Sequence, residues 1–577
     1  MKVLIALFCR PLFCRSLFCR SVFCRSVFCR SVFCRPVFCR PVFSLLMLAT
    51  LWLGGLTLSA SNAFADRRPN ILWISVEDIS SNLGCYGDPH AVTPNLDRLA
   101  SEGVRFTRAF TPAGVCAVVR SGIITGLYPP AIGSQHMRSR IIPPSDVRAF
   151  PERLRAAGYF TTNRSKTDYQ FDPTDSIWDL QGDGHNDWRD RPDPDQPFFS
   201  VINFTQCHES QIRHSDAQHR KVIQQIGAEN QHDPAVVADT IPAFLPRTPA
   251  TQKDWARYQD NITLVDQLAG EVLDRLQEDG LADNTLVVFW SDHGMGLPRG
   301  KRWIYDTGTL VPVIMRWPDR MGAGEVRSDL ISVLDLPPTM LKVAGVPVPR
   351  NMHGRLIVDD QGDEASDEPP YLFFHRDRMD EVYELQRAAR DRRWKYIRNF
   401  EPDKPYSQRL DYMDEMPTMQ DWRRLHAAGE LTGGQKNWFA ETKPIEELYD
   451  TENDPWELTN LALRPQYAER LARMRQATER WQRQIADTGM IPESVLMEEM
   501  KPGGVTPKTD PPSIRRDGKQ VSIQSSGDGV SIVYQVFDNG KWSDWKLYSR
   551  SFPSDGRVRC KATRLGYRDS DIVDLKI

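Results

Sequence analysis

Several short stretches place residues capable of acid, base or nucleophilic chemistry directly after apolar runs. Glu77 and Asp78 end "RPNILWISVED", His208 follows "FFSVINF", and Asp292 with His293 follows "LVVFW". Acids clustered with histidine and without thiolates suit a hard divalent cation such as calcium, bound mainly through oxygen. Taken singly, each pair reads more readily as a solvated loop acid, and it is their coincidence at several strand ends that favours a site. A further stretch, "GVCAVVRSGIITGLYP", sets Cys116 directly at the start of a helix-like run, with Arg120 one turn later on the same face. A group at that place meets the positive end of the helix dipole and unpaired backbone donors that hold an anion. The residues alone leave Cys116 open between an ordinary buried thiol and the precursor of a reactive group.

The elements that must position these groups are legible as alternating periodicities. "RPNILWISVED" is a continuous apolar run, the pattern of a parallel strand covered on both faces. "TPNLDRLASEGVRF" offers Thr93 as N-cap, Pro94 at the first helical position and Gly103 as stop. Tyr258, Ile262, Val265, Ala269, Val272 and Leu276 recur at three and four along one stripe of a long helix leading into "NTLVVFWSDHG". Such alternation predicts an α/β fold, a large mixed, mostly parallel sheet flanked by helices, over residues 66–360. The acidic, turn-rich "DQGDEASDEPPY" then opens a smaller α+β region, 361–500, with strands and a helix running through Arg483. Residues 501–507 read as a linker, and 508–577 as a small β module folded around a hairpin turn at Asn539-Gly540.

Residues 1–65 stand apart. A five-residue unit repeats as "LFCRS" or "VFCRP", an apolar run follows, and Ala63-Phe64-Ala65 closes the segment. This is the pattern of a secretory signal preceded by a low-complexity extension, so the protein is expected to be exported, periplasmic or secreted, touching a membrane only through that segment if it stays uncleaved. Beyond Ala65 the chain carries 65 Lys and Arg against 76 Asp and Glu, a balance of −11, which argues against a nucleic-acid partner. Only Cys85, Cys116, Cys207 and Cys560 remain there, too few and too scattered for a disulfide framework.

The order and spacing of "RPNILWISVED", "YGDPHAVTPNLDRLASEGVRFTRAF", "CAVVRSGIITGLYP", "GKRWIYDTGTLVPVIMRWP" and "ELYDTENDPWELTNL" resemble the sulfatase family of the alkaline-phosphatase-like superfamily, from about Arg68 to Leu461. "WISVEDIS", "GSQHMRS" and "SKTDY" look most like its heparan N-sulfatase-like branch. The resemblance implies hydrolysis of sulfate esters or N-sulfates, with a sulfated carbohydrate as substrate. It implies that Cys116 is oxidised to formylglycine by a formylglycine-generating or sulfatase-maturating enzyme during export. The hydrated aldehyde is then the nucleophile, and its second hydroxyl releases the sulfate. By the same resemblance Glu77, Asp78, Asp292, His293 and the converted Cys116 hold one calcium ion, magnesium being the lesser alternative. Arg120 orients the hydrated aldehyde, Lys166 and Lys301 bind the sulfate, and His208 contacts the sulfate or leaving oxygen. His136 and Arg138 are candidate substrate contacts, and Arg376, Arg378 and Asp380 candidate rim residues.

The sequence also departs from the family pattern. Val118 stands where the modification signal carries proline or alanine, Glu77 where aspartate is common, His293 where asparagine is frequent, and Asp168 where a histidine often follows the lysine. Two alternatives follow. One is a phosphodiester or phosphonate monoester hydrolase on the same fold. The other is a sulfated-glycan-binding protein without turnover, in which Cys116 stays a thiol because Val118 breaks the signal.

Overall fold

The structure, a computed structural model, describes residues 68–184 and 187–575. The signal segment, with the repeat and the closing Ala63-Phe64-Ala65, lies outside them. All seven residues of Asn70–Val76 (β1) are buried, as an apolar strand covered on both faces must be. With Val104–Phe106 (β2), Phe160–Arg164 (β3), Leu180–Gly182 (β4), Phe198–Phe204 (β5), Thr285–Ser291 (β6), Val313–Arg316 (β7) and Glu325–Arg327 (β8), it forms an eight-stranded sheet in the order β4-β3-β5-β1-β6-β7-β2-β8. Pairings from β4 through β6 are parallel, β7 runs antiparallel to both its neighbours, and β2 pairs β8 in parallel.

Side-chain alternation along β1 feeds two separate cores. Leu72, Ile74 and Val76 pack into a cluster with Tyr258, Ile262, Val265, Ala269, Val272 and Leu276, the stripe expected of the long helix. Ile71 and Trp73 point the other way, into a cluster that holds Cys116 to Val119. The helices responsible are Pro94–Ser101 (α1), Cys116–Thr125 (α2) and Pro249–Glu278 (α3). The predicted mixed, mostly parallel sheet with helices on both faces is therefore what the chain adopts.

One expectation about α1 requires correction. Thr93 occupies the N-cap position, but its hydroxyl does not cap the helix; it accepts from Gly84 N–H at 2.9 Å and donates to Asp97. The first-turn donors instead find Asp266 on α3, whose carboxylate accepts from Leu96 N–H at 2.8 Å and from the Asn95 side-chain amide at 2.9 Å. A tertiary contact has replaced the local cap.

A second, antiparallel sheet comprises Leu372–Arg376 (β9), Gln386–Arg390 (β10), Trp394–Asn399 (β11) and Glu446–Asp450 (β12), in that order. Phe374, Ala388, Ile397 and Tyr449 join the α3 core, while Trp394, Tyr396 and Leu448 form a smaller core with Leu471 and Met474 of helix Ala468–Gln484 (α4). From Ser513 onward the regular elements among the described residues are all β strands. Asn539 (φ 49) and Gly540 (φ 80) make the expected turn, with Asp538 opposite Lys541 and Phe537 opposite Trp542. No helix among the described residues is long and apolar enough to cross a membrane.

Replacing Asp266 with alanine strands buried helix donors, so Asp266→Ala should lower stability by about 2 kcal/mol in urea unfolding. An unchanged midpoint would show that the α1 terminus does not need this carboxylate.

Candidate active site

The carboxyl ends of β1, β5 and β6 and the first turn of α2 meet in one buried place. Asp78 follows β1 in the left-handed region (φ 59), and its backbone N–H approaches Asp292 Oδ1 at 3.4 Å. Asp292 and His293 follow β6. The ligand atoms of Asp78, Asp292 and His293 lie within 4.8 Å of one another, and all three side chains are buried. Gly296 lets the backbone close over them, since a Cβ there would stand 2.7 Å from Asp78 Oδ2. Two converging carboxylates and an imidazole fit a divalent cation in number and charge, with imidazole the softer member of the set. Cys116 is 1% exposed and stands near enough to this group for its charge to act on Arg120, Lys166 and Lys301.

Cations surround the acids. Lys301 Nζ stands 2.8 Å from Asp78 Oδ2, and Arg120 Nε donates to Asp292 Oδ2 at 3.0 Å. Arg120 Nη1 donates to Asn203 at 2.9 Å, whereas Nη2 has no partner among the described residues. Lys166 pairs with Glu77. His208 accepts from Ser210 N–H at Nδ1, which places its own proton on Nε2.

Burial alone would raise the Asp78 carboxyl, but Lys301 and His293 outweigh it and hold the group well below the usual carboxylate range. Asp292 is likewise drawn down against burial by His293 and Arg120. Burial would lower His293, yet Asp78 and Asp292 override it and raise the imidazole to about 10. Burial beside Lys301 pushes His208 below its ordinary value, so it is neutral at pH 7.

A line of alternating charge continues outward. Lys301 is also 3.3 Å from Glu209; Glu209 takes a two-pronged pair from Arg302 at 2.7 and 2.9 Å; Arg302 Nε donates to Asp380 at 2.7 Å; and Asp380 is 4.0 Å from Arg138, whose side chain is 65% exposed. His136 is buried, accepts from Arg378 N–H at Nδ1, and keeps Nε2 unpartnered among the described residues. Asp78, Arg138, Ser165, Asp168, Arg302 and Asp380 all have positive φ, a concentration of backbone strain typical of sites held by their surroundings.

The loop bearing Lys301 and Arg302 is gripped by the second sheet. Arg299 donates to the carbonyls of Trp456 and Glu457 at 2.9 Å, and Tyr305 donates to Glu447 at 2.9 Å. Asp306 accepts from Arg390 at 2.8 Å and from Lys395 at 2.9 Å. On its inner side the loop touches the turn before Cys116, where Arg302 N–H donates to Gly114 at 2.5 Å.

The structure thus brings Cys116, Arg120, Lys166, His208, Lys301, Asp78, Asp292 and His293 together. Glu77 is buried beside them but turned to Lys166, outside the three-residue ligand group. Arg376, expected at the rim, is instead 1% exposed and lies 4.1 Å from the centroid of the Trp303 ring. Sequence reasoning missed Asn203, Glu209 and Arg302. Each neighbours or lies within a quoted motif, but its role depends on a partner across the fold. Glu209→Ala would leave Lys301 and Arg302 buried with half their compensation; guanidinium unfolding should show a loss of about 3 kcal/mol.

Comparison with known proteins gives the family. Residues 69–346 match the family described as Sulfatase, and residues 296–420 the one described as N-sulphoglucosamine sulphohydrolase, C-terminal. An ulvan-active sulfatase of Formosa agariphila is 36% identical over 550 residues, covering 88% of this chain and 91% of its own. Human N-sulphoglucosamine sulphohydrolase is 27% identical, covering 76% and 94%. Among solved structures, a protein in complex with its substrate D-glucosamine-2-N,6-O-disulfate shares the fold at TM-score 0.55 and 19% identity, over 74% of this chain and 99% of that one. A phosphonate monoester hydrolase of Silicibacter pomeroyi does so at 0.52 and 18%, over 74% and 97%. The chain therefore belongs to the sulfatase family, and as an enzyme it is a sulfuric ester hydrolase.

Proposed function

We propose that this exported enzyme removes sulfate, as an ester or N-sulfate, from a sulfated carbohydrate, using Cys116 converted to formylglycine and a calcium ion at Asp78, Asp292 and His293. The observation that carries the reading is the meeting of the helix-leading Cys116 with that ligand group and with Arg120, Lys166 and Lys301 in one buried place. When present, the hydrated aldehyde supplies a nucleophilic oxygen with a second hydroxyl for release, and the ion draws electron density from the sulfate oxygens.

The chain's own residues provide the rest. Arg120 is fixed by Asp292 and Asn203, and its unpaired Nη2 is left to donate to an oxygen at position 116. Lys166 and Lys301 neutralise charge on the sulfate as it leaves, in surroundings poor in water where such stabilisation is large. His208 is neutral, with its proton on Nε2, and so offers a hydrogen bond to the ester oxygen. Lys166, at 20% exposure, lies toward the solvent side of the site, and the exposed Arg138, joined to Lys301 through Asp380, Arg302 and Glu209, is the candidate contact for the sugar, with His136 buried beside Arg378. Glu77 supports Lys166 and would reach the ion only by exchanging that partner. The glycan class follows the names of the relatives: one acts on ulvan and another is an N-sulphoglucosamine sulphohydrolase.

Mass spectrometry of the tryptic peptide Ala109–Arg120 from the native host should show an aldehyde in place of the thiol. An intact thiol throughout would sink the hydrolase mechanism and favour the glycan-binding alternative that Val118 raises. Cys116→Ala should lower sulfate release by about a thousandfold or more. Chelation followed by calcium should remove and restore activity; restoration by magnesium alone would overturn the choice of ion. Faster turnover of phosphonate esters than of sulfated sugars would favour the other hydrolase reading.

A further inference from the structure

The C-terminal β module carries a row of alternating cations and aromatic rings. Strand Ser531–Asp538 pairs antiparallel with Val558–Thr563, and the register sets Gln535 opposite Arg559 and Val533 opposite Lys561. Residues 557, 559 and 561 therefore share one face. The Arg557 guanidinium lies 5.5 Å from the Phe537 ring and 5.4 Å from Trp542, Arg559 lies 4.3 Å from Trp542 and 5.6 Å from Trp545, and Lys561 lies 4.8 Å from Trp545.

The inner end of the row is tied down. Lys561 pairs with Asp175 at 2.6 Å, Arg155 donates to the Trp545 carbonyl at 2.5 Å, and Ser531 donates to Glu152 at 2.5 Å. Toward the outer end Arg557 is exposed. Neither Arg557 nor Arg559 has an ion pair among the described residues. Asp574 stands opposite Arg559 on the next strand without forming one. Arg559 Nε donates to Gln535 at 2.6 Å, leaving its terminal nitrogens. A guanidinium stacked on a ring keeps its N–H donors in its own plane, so stacking and oxyanion binding are compatible.

Charge separates this module from the remainder. Residues 508–577 hold thirteen Lys and Arg against nine Asp, a balance of +4, whereas residues 66–507 stand at −15. An acidic enzyme body repels a polyanion at long range, and a basic face on the module reverses that locally.

We propose that the Arg557–Trp542–Arg559 face binds a sulfated polysaccharide chain, arginines taking sulfate groups and ring edges the sugar, so that polymeric substrate is held beside the enzyme. The proposal rests on the sulfated-carbohydrate reading above. Its test uses the full exported chain, soluble ulvan and chemically desulfated ulvan, with binding measured across a salt series.

Arg557→Gln/Arg559→Gln should bind ulvan about tenfold more weakly, with a flatter salt dependence. Desulfated polymer should bind neither protein, and hydrolysis of a sulfated monosaccharide should be unchanged. The exposed single change Arg557→Gln, which leaves Arg559 and its Gln535 bond intact, should weaken binding about threefold and serves if the double variant fails to fold. Equal ulvan affinity in wild type and variants, or equal binding of desulfated polymer, overturns the proposal. Wild type that releases no sulfate from any substrate, but loses ulvan binding in the variants, would fail the hydrolase reading while leaving this surface standing.

Discussion

Burying two carboxylates side by side is the constraint from which the rest of this molecule follows. Asp78 and Asp292 are fully buried, and like charges so placed ionise together only if positive charge surrounds them. Lys301 answers one and Arg120 the other, His293 lies between, and each of these buried cations then needs its own partner. The alternating line running out through Glu209, Arg302 and Asp380 meets that need, handing charge to the surface one pair at a time. Such a network is weak evidence for stability, because desolvation offsets much of the attraction. What it provides is orientation, since Asp78, Asp292, Arg120, Lys166 and Lys301 are each held by a charged partner.

The two-core sheet explains why that geometry can persist. A strand whose alternate residues are locked into separate clusters cannot slip by one position without exposing both sets. β1 therefore delivers Glu77 and Asp78 at a fixed height beside β6, and the strained backbone at Asp78 is absorbed by neighbours that cannot relax.

Local patterns made much of this legible. The apolar runs, the stripe on α3 and the Asn-Gly turn appear where periodicity and turn chemistry place them, because each depends on residues close in sequence. The acid and histidine pairs at strand ends were visible for the same reason. What escaped were particular pairings made across the fold. Thr93 has the composition of a cap, but Asp266 reaches the α1 donors; Glu77 has the chemistry of a ligand, but Lys166 holds it; Arg376 carries a charge that suggests solvent, yet lies over Trp303. Asn203 and Glu209 gave no signal of their own, since an amide or acid beside a strand end means nothing until Arg120 and Lys301 arrive from elsewhere.

The grip on the Lys301 loop has a consequence for the order in which the protein matures. The eight-stranded sheet needs nothing beyond Arg327, but the side chains of Arg299, Tyr305 and Asp306 send their hydrogen bonds to residues 390–457. During vectorial synthesis the scaffold can assemble first, while the loop that presents Lys301 waits for more than sixty further residues to emerge. A nascent or truncated chain would thus own the full parallel framework and still lack a seated lysine, so catalytic competence is acquired late, as a property of the finished polypeptide.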